Sequence, residues 1–273
     1  MTSRLVLTIA LAVEAAGILL VLDANRSCRA QQIEREKPSA VETKATTGSI
    51  KGKVTFVGSP PTLRPLIKQG DPKTKDAAFC SAADIPNESL LVNVREGNGI
   101  ANVCIYMQKA PEGYEAPPVP QEAVVFDIQG CRFVPHCLMA RATQDILLKS
   151  GDPIAHNPHP APIRAKEFGA ALAPLDRVGV PISYNKAERI PVPVRCDLHP
   201  WMKAYHLVQD HPFMAITNNK GEFEIQGLPP GEHKFVIWQE IPGYLEKSLS
   251  VTVAAGKQTR LDLSYGPEKF EAK

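Results

Sequence analysis

Prolines and glycines, 25 and 18 of them, recur along the whole chain between short runs of Val and Ile, and few stretches hold a helical period. Proline breaks helix interiors and punctuates turns, so a chain of this kind is built from short strands. The predicted fold class is all-β, as β-sandwiches. The single helix-like stretch, Pro162 to Leu175, is interrupted by Gly169 and Pro174. Formal net charge is +2, from 31 basic and 29 acidic residues, and no cluster of Lys or Arg is interleaved with aromatics. Nucleic acid is therefore not an expected partner.

One strand leads into chemistry. Ile190, Val192, Val194 and Cys196 alternate with Pro191, Pro193 and Arg195, so a period of two places Cys196 on an apolar inward face. The two prolines cannot donate ladder hydrogen bonds, which predicts a strand near a sheet edge. Directly after it runs Cys196-Asp197-Leu198-His199-Pro200-Trp201-Met202, a thiolate, an imidazole and a thioether within seven residues. Soft sulfur with imidazole selects copper, and a trigonal His2Cys set with a long axial Met is the blue-copper arrangement. Cys196, His199 and Met202 are thus candidate ligands, and a second histidine must come from elsewhere. His156 is the best candidate, because Gly151 and Pro153 mark a turn just before it and let the imidazole hang from a loop. His159 and His136 are weaker candidates that could enlarge the site. His206, His211 and His233 are expected to be surface or packing residues.

At these residues the chain resembles a cupredoxin of the plastocyanin and amicyanin kind. The resemblance rests on the pair His156-Asn157, on the short Cys-x-x-His-Pro-x-Met spacing, and on Val124 to Ile128 followed by Phe133-Val134-Pro135 as the opening of the fold. It implies that His156, Cys196, His199 and Met202 bind one copper, cycling between Cu+ and Cu2+, and that Asn157 ties the two ligand loops together.

A second pattern follows the loop. Asn218-Asn219-Lys220-Gly221 is a turn, Glu222 to Ile225 a short strand, and Gly227-Leu228-Pro229-Pro230-Gly231 another turn; Lys234 to Trp238, Leu249 to Val253 and Thr259 to Leu263 then alternate as strands. This resembles the ending of a carboxypeptidase-regulatory-like module, a small transthyretin-like or Ig-like sandwich. Its beginning is similar to Gly48 to Phe56, with a further strand at Asn102 to Met107. The implied organisation is a leader at 1–28, a flexible linker at 29–47, the first part of that module at 48–117, an inserted cupredoxin at 118–212, the second part at 213–265 and a tail at 266–273. From Gly48 to Leu263 the chain also resembles exported bacterial proteins labelled methylamine-utilisation-like. Those relatives carry His where Gln239 stands and often Val in place of Cys104 and Cys137, which hints at a local disulfide between the two cysteines.

Leu5 to Leu22 is an apolar stretch broken by Thr8 and Glu14, readable as the hydrophobic region of a signal peptide or as a membrane anchor. With Cys196 set aside as a ligand and Cys28 as part of the leader, Cys80, Cys104, Cys131 and Cys137 form an even set with three connectivities. Two disulfides, and an oxidising compartment, are expected. Together these features predict an exported, periplasmic or envelope-facing electron carrier that is not an enzyme, serving a redox protein partner, with a membrane tether through the N-terminal segment as an option. The competing readings are copper storage or delivery, and an envelope interaction protein in which the loop is structural.

Overall fold

The computed structural model describes residues 46–271. The predicted leader, and the linker up to residue 45, lie outside them. Among the described residues no helix is long and apolar enough to cross a membrane. The described residues are almost entirely β, as expected, with their strands in four sheets.

The first sheet is organised around the strand Gly48–Phe56, which pairs antiparallel with Glu222–Leu228 and Gly99–Ile100 and parallel with Gln258–Arg260 and Leu263–Tyr265. The second holds Met214–Ile216, Cys104–Tyr106, Gly231–Gln239 and Gly243–Val253 in that order. Alternate residues of both sheets, among them Ile50, Val54, Ile105, Phe223, Phe235, Ile237 and Val251, fill one apolar core.

The intervening strands build another two sheets. The third runs Val180–Ile182, Ile146–Ser150, Val124–Ile128 and Phe133–Val134; the fourth runs Cys137–Arg141, Lys203–Gln209, Val192–Cys196 and Pro158–Pro160. Phe126, Ile128, Phe133, Leu138, Ile146, Leu148, Val192, Val194 and Val208 make their shared core, and Cys196 belongs to it. Full burial of each such large side chain contributes about 1.5–3 kcal/mol.

The second and fourth sheets also share a cluster, formed by Cys104, Tyr106, Val236 and Trp238 with Cys137, Tyr205 and Leu207. Strands of these two sheets are consequently buried on both faces: Cys104, Ile105 and Tyr106 are all inaccessible. Where the chain leaves and re-enters the second sheet, the Met107 N–H donates to the Phe213 carbonyl.

Pro162 to Leu175, the stretch that Gly169 and Pro174 interrupt, is irregular chain tied down by a bridge between His156 and Leu172. Two expectations are corrected. The strand Val192–Cys196 is not at an edge, because it pairs with Lys203–Gln209 on one side and with Pro158–Pro160 on the other. Its proline carbonyls stay useful where the missing N–H does not matter, Pro193 accepting from the Ala161 N–H. Finally, one disulfide forms among the described residues rather than two. Cys80 bonds Cys131, while Cys104 and Cys137 are buried free thiols. Their pairing with each other, suggested by the missing valines, does not occur; Cys137 sits against the Asn102 carbonyl at 3.7 Å.

That disulfide anchors an excursion of the chain. Residues between Ile67 and Ile85, which bridge each other, place Cys80 and Ile85 in the core of the third and fourth sheets, with Ile67 and Phe79 packed against it. Asp76, at the start of the short helix Ala77–Cys80, has φ +54°.

Candidate metal centre

Cys196 ends a strand whose alternation is as expected: Val192, Val194 and Cys196 are buried, while Arg195 is exposed. The turn that follows is closed by the Met202 N–H donating to the His199 carbonyl at 3.0 Å. His156 arrives from a second loop, held by paired backbone hydrogen bonds to Leu172.

These loops are stitched together by Asn157. Its side-chain amide donates to Asp197 Oδ2 at 2.9 Å, its carbonyl accepts the Asp197 N–H, and its own N–H points at Cys196 Sγ at 3.4 Å. The result is a cluster of His156, Cys196 and His199 whose ligand atoms lie within 4.8 Å of one another. Both imidazoles turn the same nitrogen to the sulfur: Nδ1 of His156 is 3.9 Å from it and Nδ1 of His199 is 3.6 Å from it. All three side chains are buried, His199 completely.

The chemistry of the donors follows from this packing. Burial alone would raise the Cys196 thiol, but the facing imidazoles and the N–H groups of Asn157 and Leu198 outweigh it and pull the pKa down to about 5. A thiolate is the form that binds a metal. Burial acts to lower His156, yet the carboxylate of Asp152 and the sulfur of Cys196 hold it above its ordinary value.

Met202 is buried in the same apolar cluster as Cys196. Trp201 stands with its ring centroid 5.2 Å from that of His199 and donates from Nε1 to the Cys131 carbonyl. The two weaker histidine candidates stay outside the cluster. His159, half exposed, sits between Asp197 and Glu167. His136 is buried between Glu240 and Glu88 on the wall of a cavity of about 250 Å3 that Met202 and Trp201 also line. The other three histidines are buried packing residues.

Sequence reasoning missed two carboxylates. Asp152 Oδ2 is 3.0 Å from Nε2 of His156, and Asp76 Oδ2 is 2.9 Å from Nε2 of His199. Asp152 had a readable signal, an acid four residues before a candidate ligand in a Gly/Pro turn. Asp76 had none, being 123 residues from its partner.

Fold and site together define an all-β protein with a buried His-Cys-His cluster at the meeting of two loops. No family model matches the chain, and no curated protein matches it. Among solved structures, amicyanin from Paracoccus versutus is similar at 19% identity and a TM-score of 0.28, covering 40% of this chain and 99% of that one. A purple cupredoxin from Nitrosopumilus maritimus is similar at 15% identity and TM-score 0.27, covering 32% of this chain and 99% of its own. A copper-containing nitrite reductase from Thermus scotoductus is similar at 17% identity and TM-score 0.29, over 36% of this chain; the match spans a quarter of the reductase. At this level of overlap, function has to be read from the site itself.

Proposed function

We propose that this chain is a type 1 copper protein that carries single electrons between redox partners in the cell envelope. One observation carries the reading: both imidazoles present Nδ1 to a single buried cysteine sulfur, at 3.9 and 3.6 Å. Thiolate with two imidazole nitrogens in an apolar pocket is the donor set that suits copper. When bound, copper supplies a one-electron couple between Cu2+ and Cu+, one ion per chain.

The residues divide the remaining work. Cys196 provides the negative, soft ligand and the main electronic coupling. His156 and His199 would hold the ion with it through their Nδ1 atoms. Met202, two residues past Pro200 and buried with Cys196, would supply a weak thioether ligand. Asn157 holds the two ligand loops in register, so little rearrangement is needed when the charge changes. Apolar neighbours such as Val194 exclude water. With four protein ligands no open coordination position is left for a substrate, which favours a carrier over an enzyme.

Export is part of the proposal. The Cys80–Cys131 disulfide suits an oxidising compartment, and the apolar stretch at Leu5 to Leu22 would direct or anchor the chain there. The sheets on either side of the insertion would act as a carboxypeptidase-regulatory-like scaffold, and a redox protein would be the partner.

Optical and paramagnetic resonance spectra test the reading. The Cu(II)-loaded protein is expected to show intense visible thiolate-to-copper absorption and one copper per chain, and Cys196→Ala to abolish the colour. A colourless wild type that nevertheless holds copper would overturn the type 1 assignment.

A further inference from the structure

Each ligand imidazole is engaged at both ends. Nδ1 faces the sulfur, and Nε2 lies within hydrogen-bond distance of a carboxylate, Asp152 for His156 and Asp76 for His199. With Nδ1 given to a metal, Nε2 carries the hydrogen and donates it to the acid. Both histidine side chains are fully inaccessible, so neither exchange of partner nor hydration from bulk water competes with these bonds.

The two acids are held differently. Asp152 is itself buried, and its oxygens also accept the N–H groups of Gly130 and Cys131 at 2.7 and 2.8 Å. Those donors fix a negative charge deep beside the site. Asp76 comes from the excursion anchored by Cys80–Cys131, and its carboxylate is 40% exposed. Its side-chain oxygens have no hydrogen-bond partner other than His199 among the described residues.

We propose that Asp152 and Asp76 are positioning residues that set the redox poise of the centre: two anionic charges, each one imidazole away from the metal, favour the more positively charged Cu2+ state and lower the reduction potential. The physical basis is twofold. A carboxylate accepting from a ligand histidine fixes its tautomer and raises its basicity, and a nearby negative charge stabilises the state that carries the greater positive charge. The electron balance is a single addition, Cu2+ gaining one electron to become Cu+, with no proton or bond change assigned to the acids. The centre thus prefers to stay oxidised, and the partner that reduces it must be a comparatively strong one-electron donor.

This inference rests on the type 1 reading, and the experiment separates the two. The full chain, wild type and Asp76→Asn, is loaded with Cu(II), its visible absorption recorded, and its potential measured by spectroelectrochemical titration. Asp76→Asn keeps the side chain's shape and removes its charge without stranding any other donor. It is expected to retain the colour and to shift the ratio of Cu+ to Cu2+ binding roughly tenfold towards Cu+, which for a one-electron couple is about 59 mV upward. Asp76→Glu, which keeps the charge, should stay nearer the wild type. Asp152→Asn should move the potential the same way and add to Asp76→Asn in the double variant; if it fails to fold, the Asp76 pair still decides. A coloured Asp76→Asn protein with an unmoved potential would sink this inference alone, whereas a wild type without the absorption would sink the copper reading and this inference with it.

Discussion

Histidines in this chain are separated by their partner atoms rather than by burial. Six of the seven are buried, yet only two bring a nitrogen to the cysteine sulfur. His206 shows the opposite use of the same side chain. It accepts or donates a single hydrogen bond, Nδ1 with the Tyr184 hydroxyl at 2.8 Å, while its Nε2 has no partner and Phe126 packs edge-on against the ring. Burial drives its pKa down to about 3. The unfolded chain protonates this group near its ordinary value of 6.5. Above that pH both states are neutral and the group is silent; below it only the unfolded state takes up the proton, so stability falls with pH until about 3. The expected slope from this one residue is about 1.4 kcal/mol per pH unit. Denaturant unfolding of His206→Phe should therefore depend less on pH than the wild type between pH 6 and 4. Parallel curves for the two proteins would refute the assignment.

At the scale of strands, period-two alternation carried most of what could be read. It located Val192–Cys196, put Cys196 on the buried face and marked strands from Glu222 onward, but missed Met214–Ile216. It could not find the edge partner Pro158–Pro160, since three residues of which two are proline have neither alternation nor strand propensity. Cys104–Tyr106, buried on both faces and so without a polar phase, falls within the strand expected at Asn102 to Met107, which the module resemblance rather than alternation marked. The ligand loop was legible because one short turn holds three donors; the carboxylate behind His199 was not, because nothing local links Asp76 to it. Close approach between backbones is equally silent in sequence. A Cβ at Gly52 would fall on the Leu261 carbonyl, whereas one at Gly169 would meet nothing nearer than 3.9 Å. Gly52→Ala is thus expected to lower stability by about 3 kcal/mol, at the upper end of overpacking costs. Gly169→Ala should stay within about 0.5 kcal/mol. Equal urea midpoints for the two variants would refute the clash.

Across the whole molecule, two pairs of sheets share a middle layer of aromatic and sulfur side chains, while a single covalent link ties the Ile67–Ile85 excursion to the ligand end. Composition could count the cysteines but not pair them, because connectivity depends on which distant segments meet. Cys80–Cys131 closes a loop with a sequence separation of 51, and in the chain-entropy account that closure contributes about 4 kcal/mol by restricting the unfolded state. The link has a second consequence at the site. Cys131 also takes the Trp201 Nε1 hydrogen through its carbonyl and donates its N–H to Asp152, while Cys80 lies four residues from Asp76. One disulfide therefore braces the loops behind both imidazoles. The double variant Cys80→Ser with Cys131→Ser should lose most of that stabilisation in equilibrium unfolding. It should also show faster amide exchange through residues 67–85 than through Val192–Cys196, because strand pairing holds the latter independently of the link. Exchange rising equally in both segments would mean that the excursion and the ligand strand open as one unit, and that the disulfide supports the whole fold rather than the ligand end.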